Sequence, residues 1–175
     1  IAIRYPRGQA YRGLKDFIEP VPYGKGELLY PGREIALLAV GSMVSTAEHI
    51  RDKLLADGFS CTLANGRFIK PVDYELVDAL AAEHAFLVTL EENVLQGGYG
   101  LQIKAHVQES FPGVQVLNIA LPDAYVEHGN VSLLRETLRI DSDSIIQTMR
   151  EHYPPLAQSS GMEREGQAAV RITEE

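Results

Sequence analysis

Two arginines near the start of the chain, in the stretch IAIRYPRG, are the first candidates for chemistry. Arg4 and Arg7 lie three positions apart, and Tyr5 between them precedes a proline, which favours an extended or polyproline backbone. Because the polyproline helix repeats every three residues, both guanidinium groups can point the same way. Two converging guanidiniums suit a phosphate or a carboxylate. The spacing indicates either an anion site or two separate surface arginines, and both interpretations stay open.

Two adjacent carboxylates form the second candidate. Glu91 and Glu92 end the run FLVTLEE at 86–92, and neighbouring residues of a strand face opposite sides of a sheet. They are therefore not expected to act on one substrate as an acid and base pair. One of them should lie at the carboxyl end of the sheet, where α/β proteins hold ligands or partners. We take Glu92, together with His128 at a later turn, as candidates for residues that face a site or an interface.

Glycine-rich turns offer weaker signals. Gly41 and Ser42 precede a helical pattern, with Ser42 as its predicted cap, and GGYG at 97–100 precedes another. Neither turn has the GxGxxG spacing of a dinucleotide site, so close backbone packing is the favoured interpretation. The five histidines have no metal-site spacing, and no nucleophile, base and orienting group occur together. We therefore predict no catalytic group and no cofactor or metal ligand in this chain.

The elements that must position these residues follow from hydrophobic periodicity. Four apolar runs of strand length alternate with helical patterns, at 35–40, 61–64, 86–92 and 114–120. This alternation predicts a parallel sheet with helices on both faces. KGELLY at 25–30 is joined to the first run by Pro31 and Gly32, a hairpin-type turn, which predicts an antiparallel edge strand. The expected fold is α/β, a three-layer α/β/α sandwich with a five-stranded, mostly parallel sheet.

Composition narrows the class of partner. The formal charge of −8 argues against nucleic acid and against an anionic membrane surface. The apolar runs are far shorter than the roughly 20 residues that cross a bilayer. The one cysteine, Cys61, lies in an apolar run, which favours an inert buried thiol and a reducing, cytoplasmic location. A small molecule or another protein is the expected partner.

Six segments, read together, resemble a known family. They are RYPRG, GKGELL, LLAVGSMVSTA, NGRFIKPVD, LVTLEENVLQGGYG and LNIALPDAYVEHG. In this order they resemble the carboxyl-terminal third of the 1-deoxy-D-xylulose-5-phosphate synthases, thiamine-diphosphate enzymes of the transketolase superfamily, over residues 1–153. The resemblance implies a transketolase C-terminal-like domain at 25–153. Residues 1–24 would then end a middle, pyrimidine-binding domain and its linker, and 154–175 would form a polar tail.

The resemblance also implies an activity. Enzymes of this family condense pyruvate with glyceraldehyde 3-phosphate, with loss of CO2, to supply isoprenoid, thiamine and pyridoxal precursors. In the family, the residue that matches Arg7 holds the phosphate of the aldehyde. The resemblance assigns Arg4 no defined role, and its candidacy as a phosphate-binding residue rests on the spacing alone. Thiamine diphosphate and Mg2+ are held upstream, so this chain is expected to bind neither and to be inactive alone. The expected partners are the remaining domains of the same enzyme and a second copy in a homodimer.

Two other identities stay open on the sequence. One is a stand-alone module of flavodoxin type that binds a phosphate or a nucleotide at the Gly41 turn or the GGYG turn. The other is the equivalent domain of a transketolase or of a 2-oxo-acid dehydrogenase beta subunit.

Overall fold

A computed structural model describes residues 1–5, 11–14, 16–17 and 19–158. The strands of this part of the chain are β1 (Glu27–Tyr30), β2 (Ile35–Ala39), β3 (Cys61–Asn65), β4 (Phe86–Val94) and β5 (Gln115–Leu121). The helices are α1 (Met43–Ala56), α2 (Tyr74–Glu83), α3 (Tyr99–Ser110), α4 (Val131–Thr137) and α5 (Ser142–His152). None of these helices is long and apolar enough to cross a bilayer.

The strands of the described chain form one sheet in the order β1-β3-β2-β4-β5. Strands β2 to β5 are parallel to one another, and β1 is antiparallel to its neighbour β3. The predicted fold class, including the antiparallel edge strand, is confirmed. The predicted hairpin between β1 and β2 is wrong, because β3 lies between them.

The short connection from β1 to β2 explains why a hairpin does not form. It crosses the amino end of β3, where the Gly32 amide donates to Thr62 Oγ1 at 2.8 Å and the Glu34 amide donates to the Ser60 carbonyl at 2.9 Å. A Cβ at Gly32 would collide with the backbone of Cys61. Only glycine allows the connection to pass this close to β3, and the chain thereby skips one strand position.

Alternate residues of β2 face two separate cores, as a strand covered on both sides requires. Ile35 and Leu37 face the core that α1 and α5 close, whereas Ala36 and Leu38 face the core under α2 and α3. All four residues are fully buried. The continuous apolar run of β2 is therefore explained by helices that cover both faces of the sheet.

Carboxylates begin two of the helices. Asp73 accepts a hydrogen bond from the Leu76 amide of α2 at 3.3 Å, as predicted, and Asp141 accepts from the Asp143 and Ser144 amides of α5. The predicted cap of α1 is wrong. Ser42 has helical backbone angles and caps no amide with its side chain, because its hydroxyl donates to Glu92 instead.

Residues before β1 pack against the same domain. The Tyr11 hydroxyl donates to Glu48 of α1, and Tyr30 of β1 donates to the same carboxylate at 2.8 Å. Phe17 meets the ring of Tyr30 edge-on, with centroids 5.6 Å apart. Leu14 and Phe17 are partly buried against the core below α1. The segment between 11 and 17 thus contributes apolar surface to the domain.

Candidate functional site at the carboxyl edge of the sheet

The register of the parallel strands brings several turns to one edge of the sheet. Ala39 of β2 is aligned with Asn65 of β3 on one side and with Leu90 of β4 on the other. The residues that follow these three positions therefore emerge side by side at the carboxyl edge. This is the edge at which open α/β sheets hold ligands.

Glu91 is buried and bound to the amino end of α3. It is 2% exposed, and its two carboxylate oxygens accept hydrogen bonds from the Tyr99 amide at 2.9 Å and the Gly100 amide at 2.8 Å. A carboxylate at this end also interacts favourably with the helix dipole. A Cβ at Gly98 would lie 2.7 Å from this carboxylate. The GGYG turn is therefore shaped around Glu91, which agrees with the prediction of close packing.

Glu92 faces the opposite side of the sheet, as strand alternation predicts. Its Oε1 accepts from Arg135 of α4, at 2.8 Å from Nε and 2.7 Å from Nη2. Its Oε2 accepts from the Ser42 hydroxyl at the start of α1. The Glu92 side chain is 29% exposed. One half-buried carboxylate thus joins the β2–α1 turn, the end of β4 and α4.

Arg4 of the opening stretch reaches this edge of the sheet. Its Nη2 donates to the main-chain carbonyl of Glu92 at 3.2 Å. Arg7 lies outside the described residues. His128 is exposed in the connection between β5 and α4, and no hydrogen bond or ion pair joins it to Glu92 in the described part of the chain. The structure brings together Arg4 and Glu92, but not His128.

Sequence reasoning missed Arg135 and Arg67. Arg135 lies 43 positions after Glu92, and no local pattern signals that they pair. Arg67 follows β3 at the same edge, has a left-handed backbone (φ 53°) and forms an ion pair with Glu27 of β1. Its signal was available, because Asn-Gly directly before a charged residue marks a tight turn at the end of a strand. The pair holds the start of β1 against the end of β3.

An open pocket of about 570 Å3 lies beside these residues, between the ends of β4 and β5 and the end of α4. Gln96, Asn118, Asp123 and Arg139 are among its polar lining residues. In the described residues, no group of three or more His, Cys, Asp or Glu side chains could hold a metal ion. The edge therefore presents guanidinium, carboxylate and amide groups without a metal-binding cluster.

The match to a family model decides the family. The model of the transketolase C-terminal domain matches residues 24–145. The chain belongs to this family. The domain also matches 1-deoxy-D-xylulose-5-phosphate synthases, with 46% identity to that of Lachnoclostridium phytofermentans over 83% of this chain and 40% to that of Heliobacterium modesticaldum over 86%. These identities support a synthase carboxyl-terminal domain, in agreement with the predicted resemblance.

The transketolase C-terminal domain fold is also found in a solved relative. A split-gene transketolase, solved as an inactive beta4 tetramer, superposes with a TM-score of 0.70 over 75% of this chain and 43% of its own, at 24% identity. At that identity the likeness concerns the fold alone. The chain spans 24% of the length of each of the two synthases named above. These identities therefore do not assign the activity of those whole enzymes to this chain.

Proposed function

We propose that this chain is the carboxyl-terminal domain of an enzyme that condenses pyruvate with glyceraldehyde 3-phosphate, with loss of CO2. The observation that carries the proposal is the 46% identity to a 1-deoxy-D-xylulose-5-phosphate synthase over 147 residues. The product would feed isoprenoid, thiamine and pyridoxal precursors. The domain itself contributes binding and packing, and the catalytic groups belong to other parts of the enzyme.

In this proposal Arg7 binds the phosphate of the aldehyde, and Arg4 supports the same segment. The position of Arg4 supports the idea, because its guanidinium lies on Glu92 at the carboxyl edge of the sheet, where α/β sheets hold ligands. The three-residue spacing allows both side chains to point to one side in a polyproline backbone, which the proposal requires. A phosphate held in this way is a remote, non-reacting group whose binding energy orients the aldehyde.

Thiamine diphosphate and Mg2+ are assigned to other parts of the enzyme. When bound, the cofactor supplies the decarboxylation chemistry. A diphosphate is usually held through Mg2+, which needs carboxylates or other oxygen ligands. The donor groups at this edge do not fit, since the described residues contain no metal-binding cluster and Glu91 is already bound to amides.

The alternative of a stand-alone phosphate-binding module is disfavoured by both glycine turns. At the GGYG turn, the carboxylate of Glu91 occupies the Tyr99 and Gly100 amides that a phosphate would need. At the other turn, the Met43 and Val44 amides donate to the Val40 and Gly41 carbonyls. A phosphate could use these four amides only by breaking bonds within the domain.

The proposed setting is a cytoplasmic enzyme that works as a homodimer and contains further domains. The thiol supports a reducing location, because Cys61 is buried and free, and burial raises its pKa to about 12. A protonated, inaccessible thiol is inert. The proposed partners are the remaining domains, a second copy and the two small substrates.

Steady-state kinetics of the intact enzyme test the role of Arg7. We expect Arg7→Ala to lower kcat/KM for glyceraldehyde 3-phosphate by about 2 to 4 kcal/mol of transition-state binding, as for the loss of a charged hydrogen bond. The KM for pyruvate should change little, and Arg4→Ala should have a smaller effect. Arg33→Ala, an exposed arginine before β2 at the amino edge, is the control. Unaltered efficiency of Arg7→Ala toward the aldehyde would contradict the proposal.

A further inference from the structure

We propose that Glu92 is a positioning residue that sets where Arg4 and its segment lie at the carboxyl edge of the sheet. Its carbonyl holds Arg4, and its carboxylate holds α4 and the start of α1. The inference rests on the proposed function, since it concerns the segment assigned to the phosphate of the aldehyde. Glu92 would act through the arginines and would not touch the substrate.

Glu92 lies in an irregular part of β4, where both its main-chain carbonyl and its side-chain carboxylate bind other groups. The pairing of β4 with β2 ends at Leu90, and its register with β5 shifts between Leu90 and Val94. Glu92 falls inside this irregular interval, where its carbonyl accepts a hydrogen bond from Arg4. Such irregularities commonly redirect side chains next to functional sites.

The carboxylate of Glu92 binds α4, a helix that has little other contact with the domain. Every residue of α4 is at least partly exposed, and Val131 and Leu133 are among the exposed apolar residues. Arg135 of α4 places both Nε and Nη2 on one carboxylate oxygen, within 2.8 Å. Two donors on one partner restrict the orientation of the guanidinium. The position of α4 at this edge therefore depends on the charge of Glu92.

The same charge affects Arg4. The carbonyl that Arg4 contacts and the carboxylate that Arg135 contacts belong to one residue, so both guanidiniums lie close to it. While Glu92 is ionised, its charge offsets that of Arg135. In Glu92→Gln, the positive charge of Arg135 is no longer compensated by this carboxylate, and like charges repel. We expect Arg4 to leave the carbonyl and α4 to move.

Nuclear magnetic resonance of the 175-residue chain tests the physical part of this inference. In Glu92→Gln, we expect the backbone amides of residues 2–5 and of α4 to shift and to become more mobile. In Arg135→Gln, which removes the ion pair and also the repelling charge, α4 should respond and residues 2–5 should change little. The matched control is Glu151→Gln, which removes an exposed partner of Arg139 at 3.8 Å and should leave both segments unchanged. If residues 2–5 of Glu92→Gln keep wild-type shifts, the inference is overturned, even if α4 responds.

Kinetics of the intact enzyme test the consequence for the substrate. We expect Glu92→Gln to raise the KM for glyceraldehyde 3-phosphate about tenfold, less than the loss of the Arg7 contact itself, because Glu92 acts only through the arginines. The kcat and the KM for pyruvate should stay within about twofold, as after changes away from the reacting groups. Arg135→Gln, which removes the positive charge that would repel Arg4, should have a smaller effect, and the double variant should recover part of the loss seen in Glu92→Gln. Glu92→Asp, which keeps the charge, should recover part of the loss.

The results separate this inference from the proposed function. If Arg7→Ala and Arg4→Ala leave the KM for the aldehyde unchanged, the assignment of the phosphate site fails. If these two variants raise that KM while Glu92→Gln does not, the phosphate site stands and the positioning role of Glu92 is wrong. A fall in kcat for Glu92→Gln with an unchanged KM would also overturn it.

Discussion

Glu91 and Glu92 are chemically identical neighbours with unrelated surroundings. Glu91 is enclosed between β4 and the amino end of α3, whereas Glu92 reaches Ser42 and Arg135 on the opposite side of the sheet. Strand alternation alone separates them. Substitutions at the two positions should therefore have different effects, on folding at Glu91 and on the geometry of the edge at Glu92.

Glu91→Ala should destabilise the isolated chain by about 2 to 4 kcal/mol, because two buried amides would lose their acceptor. Urea denaturation followed by circular dichroism measures the change in the free energy of unfolding. Glu109→Ala, at an exposed position near the end of α3, should change it by less than about 0.5 kcal/mol. Equal stabilities of the two variants would contradict the buried cap.

Ionisation of the Tyr11 hydroxyl should reduce the stability of the domain at alkaline pH. Its hydrogen bond to Glu48, followed by burial, raises the pKa of Tyr11 from 10.0 to about 12. Because the folded pKa lies above the unfolded one, the stabilisation is complete below pH 10 and is lost as the pH rises to 12. The direction is the same for Tyr30, whose pKa the same carboxylate also raises.

We therefore expect the gap in unfolding free energy between wild type and Tyr11→Phe to be largest below pH 10. The gap should close by pH 12, since the wild type also loses the hydrogen bond once Tyr11 ionises. Chemical denaturation at a series of pH values measures it. Tyr125→Phe is the control, because Tyr125 is 93% exposed. A gap that stays constant from pH 8 to pH 12 would rule out the bond to Glu48 as its source.

The entry into α3 leaves little space for a residue larger than glycine. A Cβ at Gly100 would overlap Thr89 and approach Asn118 Nδ2 to 2.6 Å, whereas nothing lies within 4 Å of one at Gly113. Gly100→Ala should lower the free energy of unfolding by about 1 to 3 kcal/mol, as overpacking does. Gly113→Ala should be neutral or raise it by up to about 1 kcal/mol. Thermal denaturation of both variants checks the contrast, and a stable Gly100→Ala would refute the close packing.

At the scale of elements, the sequence predicts the features that depend on residues close together in the chain. The continuous apolar run at 35–40 predicts a strand covered on both faces, and Asp73 predicts the start of α2. The order of the strands was not predictable in this way. The position of β3 between β1 and β2 depends on contacts of Gly32 with Thr62, and the hairpin was inferred only from the length of the connection. Ser42 was misjudged for a similar reason, since its partner Glu92 is distant in sequence.

For the molecule as a whole, the candidate site was predicted only in part. Alternation separates Glu91 from Glu92, and their position after β4 brings them to the carboxyl edge. The partners Arg4 and Arg135 come from parts of the chain that meet Glu92 only in the folded domain. The spacing of residues along the chain gives no information about contacts between distant segments. The family resemblance supplied the role of Arg7, which stays a prediction because Arg7 lies outside the described residues.

The isolated chain should give no saturable heat when titrated with thiamine diphosphate in the presence of Mg2+. The physical reason is the lack of a metal-binding cluster in the described residues, together with the internal use of the Tyr99 and Gly100 amides. Isothermal titration calorimetry measures this, with the intact enzyme as the positive control. Saturable binding by the isolated chain would favour the stand-alone module.

The order of the strands has a consequence for synthesis on the ribosome. Strand β1 emerges early, but its register pairs Glu27 with Asn65, so its only neighbour in the described sheet is made after β2 and α1. At roughly 5 to 20 residues per second, β1 waits a few seconds for that neighbour. During this interval Leu28 and Leu29 are present in the nascent chain without the strand that pairs with them. Strand β1, one edge of the described sheet, is thus made before the other strands of that sheet and cannot be the first of them to pair.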